Sequence, residues 1–262
     1  MRYIKLYFIS WSQSLQAQME YKLDFMVGNL ATILGQIVGI AFVWVIFQNI
    51  GDLNGWTLPE IMLMYGLAAL PFGLLELFFD GLWGLNFLIR MGEFDRYLVR
   101  PVGPLFLVLS DRAATHSVGN FLSGVVIIAI ASGQLGLTWS VGNIGFVVLA
   151  VACGVVIYLS INIVTATSSF FFVGSGTAIM FLVHSLRNFS SYPLNIYARP
   201  IQMLLIWIVP FAFTSFFPAT HLLQRDEFRI FVYLIPVVPL VIFALAYGLW
   251  RMGLNQYQST GS

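Results

Sequence analysis

Few side chains in this sequence could do chemistry, and their spacing excludes most of it. The lysines are Lys5 and Lys22, and neither follows a glycine. A phosphate-binding loop ends in Gly-Lys-Ser/Thr, so the chain cannot hold ATP by that device. If ATP drives this protein, another chain hydrolyses it. His116, His184 and His221 stand far apart, and none has paired ligand spacing with a cysteine or carboxylate, so no metal site is expected. Each histidine reads as a packed or interfacial residue. Gly174-Ser175-Gly176 with His184 could supply a Ser/His dyad, but short glycine-serine runs are common at helix packing faces. No convergent catalytic set stands out, so the chain is not expected to be an enzyme. Cys153 is the single cysteine and can form no internal disulfide.

Charges inside apolar runs are costly, so the ones present are informative. Glu76 and Asp80 are four apart and share a helix face near the end of one apolar run. Asp111 and Arg112 fall about two turns into the next. Two readings stand: Arg112 pairs with Glu76 or Asp111 and locks the two runs together, or all four reach the headgroup zone and are solvated. Between the runs lies the longest charged stretch, Arg90–Arg100, RMGEFDRYLVR. Over Leu85–Val99, charges alternate with the apolar anchors Phe87, Leu88, Phe94, Tyr97 and Leu98, and Arg100-Pro101 ends the segment. A short helix of this kind can dock in a partner's groove; the plainer reading is a loop held inside by its arginines. Ala31, Gly35 and Gly39, each four apart, form a small-residue face that permits close helix approach, within the chain or to a second subunit.

The elements that must position these residues are membrane helices. The chain has 262 residues, 59% hydrophobic and 9% charged, whereas a soluble domain carries about 25% charged residues. Lipid is therefore the solvent for most of it. Aromatics at 16% suit interfacial belts. A net charge of +1 names no partner and gives no basis for nucleic-acid binding. Residues 1–22 read as an amphipathic helix in the membrane plane, with Ile4, Tyr7, Phe8, Trp11, Leu15 and Met19 on one face and Lys5, Ser12, Gln13, Gln16 and Glu20 on the other. This start lacks the uninterrupted apolar core of a signal peptide.

Spans are expected at Phe25–Phe47, Leu58–Asp80, Pro104 to about Ala131, and Ile230–Trp250. Residues 143–223 divide in two ways. In one, Asn143–Val164 and Phe170–Phe189 are spans, and 192–223 is a re-entrant excursion broken by Pro193, Pro200, Pro210 and Pro218. In the other, 143–172 is one long span and Ile201–Phe217 the next. With the N-terminus inside, eight of the twelve Lys and Arg residues are cytoplasmic under either division: Arg2, Lys5, Lys22, Arg90, Arg96, Arg100, Arg112 and Arg251. Arg225 and Arg229 are outside; Arg187 and Arg199 depend on the division. Six crossings put both termini inside, Asn54 outside and Asn86 inside. The chain reads as one all-α integral membrane domain, 1–262.

The stretch GEFDRYLVRPVGPL resembles the loop between spans two and three of type-2 ABC permeases, and is most similar to a bacterial branch catalogued as uncharacterised ABC transport permeases. The matching positions are Gly92, Asp95 and Leu98-Val99-Arg100-Pro101. A second block, residues 191–223, resembles the branch at Tyr192-Pro193, Ile208–Pro210 and Phe217–Ala219, and the tail at Trp250, Gly253-Leu254 and Tyr257 onward. The resemblance implies six spans, an N-terminal interfacial helix, and a coupling helix at 85–99 that receives force from ABC ATPase subunits through Arg90, Glu93, Asp95, Arg96, Arg100 and Pro101. It implies a re-entrant segment at 192–223 containing Pro193, Pro210 and Pro218. It implies a second permease subunit, identical or related, in a bacterial plasma membrane. ATP and Mg belong to the ATPase, and this chain holds no cofactor. A secondary transporter or channel is the competing reading, but it would place ion-binding groups near the midplane.

Overall fold

A computed structural model describes residues 2–172 and 176–258 and is helical throughout, with no strand among the described residues. Helix α1 covers Arg2–Glu20 and α2 covers Lys22–Phe47. Helix α3, Leu58–Phe79, starts where its sequence says it should. Thr57 and Glu60 form a capping box, with the Thr57 backbone N–H donating to the Glu60 carboxylate at 2.8 Å, and Pro59 fills the first turn. A tight turn, Asp80–Gly84, leads to the short helices α4, Leu85–Arg90, and α5, Asp95–Leu98. Then come α6, Pro104–Ser110, α7, Ser117–Leu135, and α8, Val141–Phe171. Gly136, at φ 64°, ends α7 in the left-handed conformation that glycine tolerates. Ser140 caps α8 by accepting from the Asn143 N–H.

Among the described residues, five helices are long and apolar enough to cross a membrane: Lys22–Phe47, Leu58–Arg90, Ser117–Leu135, Val141–Phe171 and Val237–Gln256. A sixth candidate is a pair, Arg199–Ile208 and Phe211–Leu222, bent by 74°. Helix α3 is the core of the bundle; α7 packs on one side of it and α8 on the other. Its glycines allow this. A Cβ on Gly66 would lie 3.0 Å from the Gly124 carbonyl, and one on Gly73 2.8 Å from the Phe121 nitrogen.

Two expectations are corrected. The span from Pro104 to Ala131 is not one helix: it breaks between α6 and α7, so Asp111 and Arg112 lie in the break rather than two turns into a span. Neither division of 143–223 holds whole. The fourth helix is long, as in the second, but Ile201–Phe217 is broken at Pro210. Among the described residues, the stretch from Phe170 to Phe189 holds the end of α8, an 11-residue helix α9 (Gly176–Leu186) and part of a tight turn (Arg187–Ser191). Gly174 and Ser175 lie outside the described residues. Beyond α9 come Leu194–Ile196, α10 (Arg199–Met203), α11 (Phe216–Leu222), α12 (Arg229–Leu234) and α13 (Val237–Gln256).

The bent pair begins and ends at one place. Asn195, just before it, accepts from Trp56 Nε1 at 2.9 Å. Phe216, in its second arm, sits 5.5 Å from the Trp56 ring. Arg225, just after it, lies 3.7 Å over that ring and 2.7 Å from Glu60. Its apex reaches inward, with Thr214 sharing a hydrogen bond with Tyr158 at 3.2 Å. Both chain ends meet the opposite end of the bundle: Trp11 donates to the Leu77 carbonyl, and Tyr257 to Asp95.

Candidate coupling site

The charged segment after α3 is two short helices, α4 and α5, joined by a turn in which Gly92 takes φ 69°. The pair is two-faced. Leu85, Asn86, Leu88, Ile89, Phe94 and Tyr97 are buried, while Arg90, Met91, Glu93, Arg96, Val99, Arg100 and Pro101 are exposed. Of the expected anchors, Leu88, Phe94 and Tyr97 hold it; Phe87 and Leu98 face outward. Glu93 and Arg96 pair with each other at 3.1 Å on the outer face. Arg96 and Arg100 lie over the Tyr97 ring at 5.4 and 5.8 Å.

The buried face is bolted to two distant helix ends. Phe94 packs edge-on against Phe170 of α8 at 5.4 Å and Trp250 of α13 at 6.5 Å. Tyr257 meets Phe94 at 5.1 Å and donates its hydroxyl to Asp95 at 2.9 Å. Tyr97 donates to Asp111 at 3.0 Å, joining α5 to the break before α7. Burial first, then the Asp111 carboxylate, holds the Tyr97 hydroxyl above the usual phenol range.

The intramembrane charges fall into three separate contacts. Arg112 meets Asp80 at 3.6 Å, not Glu76 or Asp111. Because α6 stops at Ser110, residue 112 leaves the helical path that would have aimed it at Glu76. Glu76 instead accepts from Ser117 at 2.8 Å and Asn120 at 3.2 Å, both on α7. Asn120 in turn accepts from Gln36 of α2 at 3.0 Å.

The break at 111–116 was not foreseen, and neither were the side chains that satisfy it. Ser14 accepts from the Ala113 N–H at 3.1 Å, and Gln18 from the Thr115 N–H at 3.2 Å. Gln18 also donates to the Ala113 carbonyl. The Ala114 N–H donates to the Glu76 carbonyl at 3.1 Å. Asn29 and Thr32 donate to the carbonyls of Thr115 and His116 at 3.2 and 3.1 Å. Non-helical backbone at membrane depth persists only where protein satisfies it, and α1, α2 and α3 do so here.

The small-residue stripe of α2 is divided. Gly39 packs under Tyr65, where a Cβ would lie 2.1 Å from the hydroxyl. Ala31 is exposed, and Gly35 faces open space. Pro193 precedes the tight turn at Leu194–Ile196, Pro210 stands at the 74° bend, and Pro218 occupies the first turn of α11, where no helical N–H is needed. His184 packs between Phe72 and Trp83 at 5.1 and 5.2 Å, and His221 lies 4.1 Å from Phe146. Among the described residues no His, Cys, Asp and Glu group could hold a metal ion.

A chain whose described residues are helical, with five or six helices among them able to cross a bilayer, is a multi-pass membrane protein. The family model for the ABC-2 family transporter protein matches residues 33–261. The chain belongs to that family and is a permease of the ABC transport type. No curated protein and no solved structure matches it.

Proposed function

We propose that this chain is the membrane subunit of an ATP-driven exporter, and that a separate ABC ATPase grips the outer face of α4 and α5. One observation carries this reading: the segment is anchored by buried aromatics on one face and offers Arg90, Glu93, Arg96, Val99, Arg100 and Pro101 on the other. ATP and Mg act in the ATPase. When its subunits close, the handle moves. Phe94 passes the motion to α8 and α13, and Tyr97 passes it through Asp111 to the break before α7. A second permease, identical or related, completes the path.

Six crossings fit this reading. Trp11 and Tyr257 meet the same end of the bundle, which supports an even number of crossings between them. Both ends of the bent pair meet Trp56, which supports a re-entrant segment rather than a crossing. The sixth crossing is then the broken stretch from α9 to Leu194–Ile196, which rises to Trp56. Positive residues at the handle support a cytoplasmic position for that end and for both termini, in a bacterial plasma membrane.

The test is Arg96→Ala with Arg100→Ala, both on the exposed face. The double variant is expected to insert normally and to lose coupling between ATP hydrolysis by the co-purified ATPase and transport. Normal coupling removes these residues from the interface. Purification from native membrane without any ATP-binding chain, active in ion flux, would favour a secondary transporter or channel.

A further inference from the structure

Helices α1 and α2 meet at Tyr21, whose backbone leaves the helical path at φ −94° and ψ 72°. The elbow holds an open cavity of about 220 Å³, bordered by Tyr21, Asp24, Phe25 and Gly28 from α2 and by His116 from the break before α7. Gln18 and Thr115 also border it, but they are spent on each other: the Thr115 hydroxyl donates to Gln18 at 2.9 Å. Asp24 stands in the first turn of a crossing helix. The cavity therefore lies at headgroup depth, in the inner leaflet by the orientation proposed above.

Asp24 is exposed, and among the described residues it has no hydrogen bond and no cation within ion-pair distance. Lys22, two residues back, points to the other side of the helix. Arg112 is engaged by Asp80 at 3.6 Å. Tyr21 and Phe25, one exposed and one half-buried, bring two rings to the same cavity. A carboxylate beside open ring faces is the chemistry that holds an alkylammonium group. An anionic head without an amine would instead set its phosphate beside an uncompensated carboxylate. Gly28 lets His116 approach: a Cβ there would lie 3.0 Å from the His116 Cβ. Gly28, Ala31 and Gly35 then continue the face of Asp24 at spacings of four, three and four. Ala31 is exposed, and a Cβ on Gly35 would meet nothing within 4 Å. A shallow channel of small residues thus leads from the cavity along α2, and it is the part of the small-residue stripe that no helix covers.

We propose that this cavity binds an ammonium-headed phospholipid. The ammonium donates to Asp24 and lies against the rings of Tyr21 and Phe25, the phosphate turns toward His116, and one acyl chain follows the channel over Ala31 and Gly35. Phosphatidylethanolamine carries such a head. Phosphatidylglycerol has the same phosphate and chains but lacks the cation, and the channel treats the chains alike, so discrimination rests on Asp24. A free phosphoethanolamine bears the same charges without the chains; the depth of the cavity and the channel leading from it favour the lipid. The site is a property of this chain alone and does not rest on the ATPase reading.

The test is native mass spectrometry of the full chain in detergent, without nucleotide or ATPase, titrated with palmitoyl-oleoyl phosphatidylethanolamine or phosphatidylglycerol. For the first lipid bound, the ethanolamine head is expected to give about fivefold tighter binding. Asp24→Asn, at an exposed position with no partner to lose, should erase that preference in a protein that still folds, whereas Asp24→Glu keeps it. Tyr21→Ala should weaken phosphatidylethanolamine about threefold and leave phosphatidylglycerol unchanged. Glycerophosphoethanolamine, the head without its chains, should not compete. Equal affinity for the two lipids, a preference that survives Asp24→Asn, phosphatidylethanolamine binding unchanged in Tyr21→Ala, or full competition by the free head would each overturn the site.

Discussion

Arg112 reaches Asp80 with its own side chain 63% exposed, and the atoms are 3.6 Å apart. Solvent-screened pairs of this kind contribute about 0–1 kcal/mol. Glu76 is held by neutral donors from α7 instead. The exchange Glu76→Arg with Arg112→Glu should therefore rescue nothing: Glu76→Arg sets a guanidinium against the Ser117 hydroxyl and the Asn120 amide, and Arg112→Glu lies elsewhere. Yield of monodisperse protein in detergent reads this, and recovery in the double variant would place Arg112 on Glu76 after all. A harder constraint sits one residue past Asp80. A Cβ on Gly81 would fall 1.8 Å from the Val108 carbonyl oxygen, a backbone atom that cannot turn aside. Gly81→Ala should cost about 1–3 kcal/mol or more, seen as a clear drop in the melting temperature of the purified protein. An unchanged melting temperature would mean that α6 does not lie against the turn after α3.

Helix α1 has two faces. Ile4, Phe8 and Met19 are exposed, whereas Ser14 and Gln18 face the bundle and complete the backbone of the break at 111–116. Gln18→Ala strips partners from both Ala113 and Thr115, and orphaned backbone groups cost about 1–3 kcal/mol each. Faster amide hydrogen exchange confined to residues 111–117 is expected; unchanged exchange there would mean that water already serves these groups. The sequence makes the long helices and the charged segment legible, because apolar length and charge are additive along a chain. The break escapes that reading. Ala113 and Ala114 favour helix, no proline or glycine marks the stop, and a hydropathy window averages across it. A trace is present in Ser110-Asp111-Arg112 and Thr115-His116-Ser117, polar triplets flanking two alanines, and in the otherwise idle Ser14, Gln18, Asn29 and Thr32. The close helix crossing escapes for a different reason. A search for small residues four apart finds Ala31, Gly35 and Gly39, but the tight crossing uses Gly66 and Gly73, two turns apart on α3, against α7.

Across the whole molecule, orientation is the claim that joins the handle, the termini and the Trp56 end. Of the two asparagines that would mark opposite faces, Asn86 is buried and donates to Ser169 at 3.3 Å, so a cysteine there would stay silent. Asn54 takes φ 54° and donates to the Asn195 carbonyl, so replacing it disturbs the end it reports on. Better probes are Val99, 83% exposed beside the handle, and Val141, 89% exposed at the start of α8. Cys153 is buried and adds little background. Only α7 separates the two positions as a crossing helix, so the pair isolates one passage through the bilayer. With arginines concentrated at the handle, Val99→Cys should react with an impermeant maleimide only from the cytoplasmic side and Val141→Cys only from outside. The reverse pattern would invert the protein and put the proposed ATPase surface where no ATPase works. Reaction of both from one side would mean that α7 does not cross, and neither the even count of crossings nor the route from Tyr97 through Asp111 into the membrane would survive it.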